Sequence, residues 1–267
     1  MIATATAFFQ RDLRIAMSYR VSFLRSGVMV VFGLASMYFV ARLMDQGAPA
    51  ALAPYHNNYF GYALIGVAFA LFAQSIAAGF PSVVRSAQVN GTLEVLFGSR
   101  TSPPMFLFCS TLFDLGYAVL RLAVTLAIGT AVLGAGLHAD RALVAALVFL
   151  LTAAAFAGIG AFAAAFVLWF KQPEPVTGAI ITASLVLSGV LYPTTVLPSW
   201  LSPLARLLPL THTMSALRGT LLGNASAASL TGEVAALAGF ALLLPLGLLA
   251  FQFAIRQAKD AGSLSHY

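Results

Sequence analysis

Residues 141–170, RALVAALVFLLTAAAFAGIGAFAAAFVLWF, decide the fold class of this chain. Arg141 is the only charged residue among them. A helix needs about 20 predominantly apolar residues to cross the hydrocarbon core of a bilayer. The stretch exceeds that length, so it predicts a membrane-spanning helix that is long enough to tilt or to protrude into water.

Small residues lie near the middle of this stretch. Gly158 and Gly160, followed by Ala163, loosely resemble a dinucleotide-binding fingerprint. That fingerprint follows a strand, whereas these residues lie inside an apolar helical segment. We therefore expect them to let a neighbouring helix approach closely.

The composition of the whole chain agrees with a membrane environment. Of its 267 residues, 60% are hydrophobic and 8% are charged, and the mean hydropathy is +0.93. A soluble domain carries about 25% charged residues. The sequence thus predicts an all-α polytopic membrane protein. Its six predicted spans lie near 26–44, 59–80, 105–136, 141–170, 176–192 and 233–255.

The 14 basic residues are distributed unequally between the two sides of these spans. They are dispersed along the chain, which argues against a nucleic-acid partner despite the net charge of +6. Nine of the 14 fall on the side of the termini and of residues 88–104, and this bias predicts a cytoplasmic location for that side. One, Arg121, lies inside a span, and the other side has four: Arg42, Arg141, Arg206 and Arg218.

The segment before the first span has helical periodicity. Between residues 8 and 25, Arg11 and Arg14 fall on a polar face opposite an apolar one. This pattern predicts an amphipathic helix at the membrane interface, with its arginines near the lipid headgroups. It serves either as a topology anchor or as a lever for a cytoplasmic partner. We accordingly divide the chain into this interface helix, 1–25, and one six-span domain, 26–267.

Several kinds of enzyme site are missing from the sequence. The chain has only two lysines, and neither follows a glycine-rich loop, so no Walker A motif is present. Its four histidines lack the spacing of metal ligands. We expect no metal or cofactor bound by this chain and no ATP hydrolysis through a P-loop.

The third predicted span contains two charged residues, which are costly inside a bilayer. Asp114 and Arg121 are seven residues apart, so they share one helical face with Tyr117. That face should point to another helix, a subunit or a water-filled path. Two interpretations remain open. Arg121 snorkels or reaches back toward Asp114 in a purely structural role, or the polar face lines a pathway or gate.

Prolines interrupt the apolar segment at residues 188–223, SGVLYPTTVLPSWLSPLARLLPLTHTMSALRGTLLG. Each proline prevents a continuous helix, yet the intervening residues are too apolar for an exposed loop. We therefore predict short, broken re-entrant helices in the outer leaflet, buried against protein. Tyr192, Pro193 and Pro198 are candidate residues of a plug on the exit side.

Two stretches together resemble the membrane subunit of ABC-2 type exporters, whose ATPases are separate subunits. The topological similarity covers nearly the whole chain. The first stretch is Gly91-Thr92-Leu93-Glu94 followed by Ser102-Pro103. The second comprises Ser188-Gly189, Tyr192-Pro193, Leu197-Pro198, Leu208-Pro209-Leu210-Thr211-His212 and Leu217-Arg218.

The resemblance implies that the loop after the second span forms a coupling helix against an ATPase subunit. Asn90-Gly91 is a typical turn, and Thr92 or Ser86 could cap a short helix that presents Glu94 to a cytoplasmic surface. A solvated connector is the alternative. The candidate ATPase contacts are Arg85, Gly91, Thr92, Leu93, Glu94, Arg100, Arg11 and Arg14.

The resemblance also implies an assembly and a location. Two copies of this chain would face each other in a bacterial cytoplasmic membrane, with two ATPase subunits that bind ATP and Mg. The apolar spans favour an amphipathic, drug-like, lipid or lipid-linked cargo, and a polysaccharide remains an alternative. Two other classes of protein remain as alternatives, a proton-coupled secondary transporter that uses Asp114 and an intramembrane enzyme acting on lipid.

Overall fold

The computed structural model describes residues 20–44, 50–92, 103–138, 140–170, 175–223 and 226–260, together with Thr6, Gln10, Arg11, Leu13 and Arg14. Every regular element within these residues is a helix, so the prediction of an all-α fold is confirmed. The α-helices are α1 Arg20–Met44, α2 Tyr59–Val89, α3 Pro103–Ala131, α4 Ala142–Phe170, α5 Pro175–Leu187, α6 Ser202–Arg206, α7 Pro209–Leu221, α8 Ala227–Ala241 and α9 Leu243–Asp260.

Five helical segments of the described chain are long and apolar enough to cross a bilayer, so the chain is a multi-pass membrane protein. They match five of the six predicted spans. The predicted span at 176–192 differs, because α5 has 13 residues and measures about 20 Å at 1.5 Å per residue. A hydrocarbon core is about 30 Å thick, so α5 alone does not cross it. The five segments are Gly27–Met44, Tyr59–Val89, Met105–Ala131, Ala142–Phe170 and Ala227–Lys259.

The last of these segments contains a break that the sequence analysis did not predict. Helix α8 ends at Ala241, and α9 begins at Leu243. Pro245 explains the break, because its ring clashes with the carbonyl of the residue four positions earlier, which is Ala241. At the junction, the Leu242 amide donates to the Gly239 carbonyl, three residues back, at 3.2 Å.

Helix α4 packs against α2, α8, α9 and α7 and lies at the centre of the fold. Its small residues fit the places where prolines disturb the neighbouring helices. A Cβ on Gly158 would lie 2.4 Å from the Leu243 carbonyl carbon, beside the break between α8 and α9. A Cβ on Gly160 would lie 2.8 Å from the Ala77 carbonyl oxygen, which Pro81 leaves without its helical partner. The predicted close helix packing is confirmed.

Helix α2 is longer than predicted. We expected a span that ends near residue 80, but the helix continues to Val89 and measures about 46 Å. Pro81 removes only one helical hydrogen bond, and the close approach of Gly160 covers the freed carbonyl. Arg85 therefore lies on the helix and not in a loop.

Helix α3 runs antiparallel to α2, since Gly129 faces Leu64 and Gly79 faces Thr111.

Candidate functional site

Between α5 and α7 the backbone forms short helical elements joined by turns. Helix α5 ends at Leu187, and Gly189 has a φ of +69°, which glycine adopts without strain. A 3-10 turn at Thr194–Val196 and the five-residue helix α6 follow, before Pro209 starts α7. We call residues 188–208 the outer segment.

Arg218 fastens the outer segment to the rest of the molecule. It lies on α7, and its side chain is 2% exposed. Its Nη1 donates to the Gly189 carbonyl at 2.8 Å, and its Nη2 donates to the Val190 carbonyl at 2.8 Å. Its Nη2 and Nε also donate to the Tyr62 carbonyl on α2, at 3.1 and 3.3 Å. One guanidinium thus joins α7, α2 and the start of the outer segment, and satisfies buried carbonyls that would otherwise be costly.

The ring of Tyr62 also contacts this cation. We call Arg218, the Gly189, Val190 and Tyr62 carbonyls and the Tyr62 ring the Arg218 cage. The Arg218 Cζ lies 3.4 Å from the centroid of the Tyr62 ring, a cation–π geometry. The Tyr62 hydroxyl donates to the Gly189 carbonyl at 2.9 Å, so Tyr62 and Arg218 share one acceptor. Within the described chain, carbonyl dipoles and this ring surround the Arg218 charge, and no carboxylate forms an ion pair with it.

Gly66, one helical turn after Tyr62, gives the outer segment room to approach α2. A Cβ at this position would lie 2.1 Å from the Val190 carbonyl oxygen and 2.6 Å from the Arg218 Nη2. Both contacts are shorter than van der Waals packing allows, so the Arg218 cage requires glycine here.

The three predicted gate residues of the outer segment shape it locally. The Tyr192 hydroxyl donates to the Val186 carbonyl on α5. Pro193 is buried, whereas Pro198 is exposed and its carbonyl accepts the Leu201 amide at 2.9 Å. Arg218, which sequence analysis counted among the charges of an outer loop, is instead the buried residue that holds the segment. The sequence did contain a clue to this buried role, because Arg218 is the only Lys, Arg, Asp or Glu between residues 207 and 232.

A second contact next to the outer segment joins α7 to α8. The His212 Nδ1 lies 2.6 Å from the Glu233 Oε2, and its Nε2 lies 2.9 Å from the Arg206 carbonyl. A carboxylate and a carbonyl only accept hydrogen bonds, so both ring nitrogens donate and the imidazole carries a proton. The hydrogen bond to Glu233 raises the pKa of His212, burial opposes this, and the Arg206 carbonyl adds to the increase.

The predicted polar face of α3 meets α2. The Arg121 Nη2 donates to the Leu71 carbonyl at 3.1 Å and to the Ser75 hydroxyl at 2.8 Å. Among the described residues, both hydrogen-bond partners of Arg121 therefore lie on α2, and not at Asp114. The Tyr117 side chain is half-buried and the Asp114 side chain is exposed.

The turn predicted at Asn90-Gly91 ends α2. Gly91 has a φ of +65°, its amide donates to the Gln88 carbonyl at 3.0 Å, and the Thr92 amide donates to the Ala87 carbonyl at 3.0 Å. This pair of bonds is a Schellman motif. Thr92 also donates its hydroxyl to the Ala87 carbonyl at 3.4 Å. Ser86 lies inside α2, so the prediction that it could cap the following helix is wrong.

The remaining predicted coupling residues lie beside this turn, in the N-terminal segment or outside the described chain. Arg85 is half-buried and its Nη1 lies 3.5 Å from the Gln88 Oε1. Gln88 is 3% exposed and its Nε2 donates to the Val167 carbonyl on α4 at 3.3 Å. Arg11 and Arg14 have helical backbone and exposed side chains. Leu93, Glu94 and Arg100 lie outside the described residues.

The structure thus separates the predicted residues into groups along α2. The predicted coupling residues Arg85, Gly91 and Thr92 lie at its C-terminal end, the Arg218 cage lies near its N-terminal end, and Arg121 contacts its middle. In the part of the chain that the structure describes, no group of three or more His, Cys, Asp or Glu side chains could hold a metal ion.

Comparison with known proteins gives one family. A family model described as ABC-2 type transporter matches residues 2–222. The matched region includes α1 to α7 and therefore both ends of α2 and Arg218. No curated protein matches the chain.

Proposed function

The chain belongs to the ABC-2 type transporter family as a membrane subunit, and on that premise we propose that it is the permease of an ATP-driven exporter. The family implies an ABC ATPase partner, and we place ATP, Mg and hydrolysis on that subunit. The complex contains two copies of each chain in a bacterial cytoplasmic membrane, with both termini of the permease in the cytoplasm. The cargo is an amphipathic, drug-like, lipid or lipid-linked molecule, or a polysaccharide.

We assign the sixth membrane crossing to α5 together with the outer segment. Helix α5 measures about 20 Å, which leaves about 10 Å of a typical hydrocarbon core for the outer segment. Non-helical backbone is tolerated at membrane depth only where protein or a water-filled cavity satisfies it. The hydrogen bonds of Arg218 to the Gly189 and Val190 carbonyls support this assignment, because they satisfy the two carbonyls nearest α5 that would otherwise be buried without partners.

The observation that carries the proposal is the continuity of α2 between two special sites. At one end its Tyr62 carbonyl and ring hold Arg218 and, through it, the outer segment. At the other end the Schellman turn at Gly91 ends α2 directly before the segment that we propose as the coupling helix. A helix of about 46 Å that packs on α4 and α3 can carry a displacement from one end to the other.

The proposed transport cycle begins at the ATPase subunits. ATP binding brings the ATPase subunits together and moves the coupling helix, with Glu94 and the arginines Arg85, Arg100, Arg11 and Arg14 at the contact. Helix α2 then shifts relative to α7, and the Arg218 cage releases the outer segment with Tyr192, Pro193 and Pro198. ATP favours the open form only to the extent that it binds that form more tightly.

Charge reversal at Glu94 tests the proposal. In liposomes that contain the permease and its ATPase, Glu94→Arg should leave ATP hydrolysis in place and abolish ATP-dependent transport, whereas Glu94→Gln should keep part of it. Unchanged transport by Glu94→Arg would contradict the proposal. A proton-coupled carrier predicts the reverse, namely loss of transport in Asp114→Asn and tolerance of Glu94→Arg.

A further inference from the structure

Arg121 is a charged residue in the membrane-spanning helix α3, and only one nitrogen of its guanidinium donates hydrogen bonds within the described chain. Its Nη2 donates to the Leu71 carbonyl and to the Ser75 hydroxyl, which fixes the position of the group. Arginine has five N–H donors, and the Nε and Nη1 hydrogens of Arg121 have no hydrogen-bond partner within the described chain. The guanidinium is therefore anchored on one side and open to a further acceptor on the other.

The position of Arg121 makes an open donor set costly. It is the nineteenth of 29 residues in α3, about 27 Å along the helix from Pro103 and about 15 Å from Ala131. A charged side chain at such depth is costly to insert, because it loses hydration that the protein or a bound anion must replace. A resident or visiting anion would supply the missing partner.

The neighbouring exposed face of α2 contains polar as well as apolar side chains. Leu71, Gln74, Ala78 and Ser82 are exposed and follow helical spacing, so they form one stripe of a helix whose other faces are buried. Ser75, which is half-buried at the edge of this stripe, holds Arg121. Gln74 thus adds an amide donor on the face that Arg121 approaches.

We propose that Arg121, positioned by Ser75 and Leu71 and flanked by Gln74, is an intramembrane subsite for the phosphate of an amphiphile headgroup. The planar fork of arginine matches phosphate oxygens with two parallel hydrogen bonds. The subsite deepens the proposed function, on which it rests, by making the cargo a phosphate-bearing amphiphile.

A binding experiment isolates the subsite from transport. Tyr117→Trp places a fluorophore one turn from Arg121, with Trp169→Phe and Trp200→Phe removing the two native tryptophans. The full permease–ATPase complex in nanodiscs of neutral lipid is titrated with brominated phosphatidic acid or brominated diacylglycerol, and quenching is measured. We expect phosphatidic acid to bind at least about tenfold more tightly, because its phosphate oxygens accept charge-assisted hydrogen bonds from the guanidinium.

Variants of the same background decide the outcome. Arg121→Gln should abolish the preference for phosphatidic acid, and Arg121→Lys should retain part of it. Arg256→Gln, which removes an exposed charge on α9, should leave it unchanged. An undiminished preference in Arg121→Gln would overturn the subsite, as would equal binding of the two lipids in the parent, the result expected if a carboxylate of a second copy occupies Arg121.

A transport arm separates the two possible sources of the phosphate. With proteoliposomes and ATP, movement of labelled phosphatidic acid that Arg121→Gln abolishes identifies the phosphate as that of cargo. Binding without movement supports the subsite as a site for a resident lipid headgroup. Absence of ATP-driven transport of any amphiphile, with the binding preference intact, would sink the proposed function and leave the subsite standing.

Discussion

Arg218 is a buried cation without a carboxylate partner in the described chain, and its stability depends on the groups that surround it. Burying an isolated charge is costly because the cation loses its hydration. Here three carbonyls and the Tyr62 ring replace water, and the same contacts satisfy the buried carbonyls of Gly189 and Val190, which follow α5. Neither the arginine nor the outer segment is expected to keep its position without the other.

We predict that Arg218→Gln destabilises the protein and loosens the outer segment. Each buried carbonyl left unpaired costs about 1–3 kcal/mol, and an amide side chain cannot reach all three acceptors. Thermal unfolding in detergent should show a lower midpoint, and protease should cleave within residues 188–208. Arg256→Gln is the matched control, because Arg256 is exposed. Equal stability of the two variants would refute the role given to Arg218.

The close approach at Gly66 gives a second prediction at this scale. Gly66→Ala places a Cβ 2.1 Å from the Val190 carbonyl oxygen, so α2 and the outer segment must separate. Overpacking of this kind costs about 1–3 kcal/mol. Gly116→Ala on α3 is the control, since its Cβ would meet no atom within 4 Å and should be neutral or stabilising. Differential scanning fluorimetry of the two variants checks the difference, and a tolerated Gly66→Ala would argue against the cage.

The contact between His212 and Glu233 predicts a pH dependence of stability. The pKa of His212 is raised in the folded protein, chiefly by the hydrogen bond to Glu233. The contact therefore contributes fully below the unfolded pKa of about 6.5 and is lost as pH rises through the higher folded value. Melting temperatures of wild type and His212→Gln, measured from pH 5 to pH 9, should converge at high pH. A difference that stays constant with pH would contradict the protonated imidazole.

At the scale of elements, apolar length and proline positions predicted most of the fold. They located five helical segments that can cross a bilayer, and the small residues at 158–160 correctly predicted close helix packing. Local patterns failed where distant groups decide the outcome. Helix α2 continues past Pro81 because Gly160 covers the freed carbonyl, and the partners of Arg218 lie 28 to 156 residues away in sequence.

The sequence predicted only part of the candidate site. Residues at Gly91 and in the outer segment could be chosen from turn and proline patterns, because these act on their own backbone. The cage around Arg218 could not, since it requires knowing that the Gly189 carbonyl meets α2. The sequence also could not predict the hydrogen-bond partners of Arg121, because the pattern of a single helical face does not identify the neighbouring helix.

The end of α2 gives a prediction at the element scale. Gly91→Ala forces a side chain into the left-handed conformation at a cost of about 1–2 kcal/mol, which weakens the Schellman turn. Gly91→Asn should be tolerated better, because asparagine visits that conformation more readily. If the turn orients the coupling helix, transport per ATP hydrolysed should fall in Gly91→Ala and remain near wild type in Gly91→Asn. Equal coupling ratios in the two variants would remove the turn from the mechanism.

At the scale of the whole molecule, the proposal requires that the two ends of α2 respond together. Helix α4 contacts both α2 and α7, so a shift of α2 is transmitted within one packed bundle and not through a loop. Rigid helices of this kind have discrete packing arrangements, and each ligand-bound state selects among them according to its affinity.

Hydrogen exchange in the reconstituted complex tests this joint response. Adding a non-hydrolysable ATP analogue should change exchange near residues 88–92 and increase exchange in residues 188–208, because release of the Arg218 cage exposes amides of the outer segment. In Glu94→Arg, the analogue should still bind the ATPase, yet exchange in residues 188–208 should remain at its nucleotide-free level. If that segment instead opened equally in both proteins, motion would reach it by a route other than the coupling helix and α2, and the mechanism would have to pass through α1 or through the contact between permease copies.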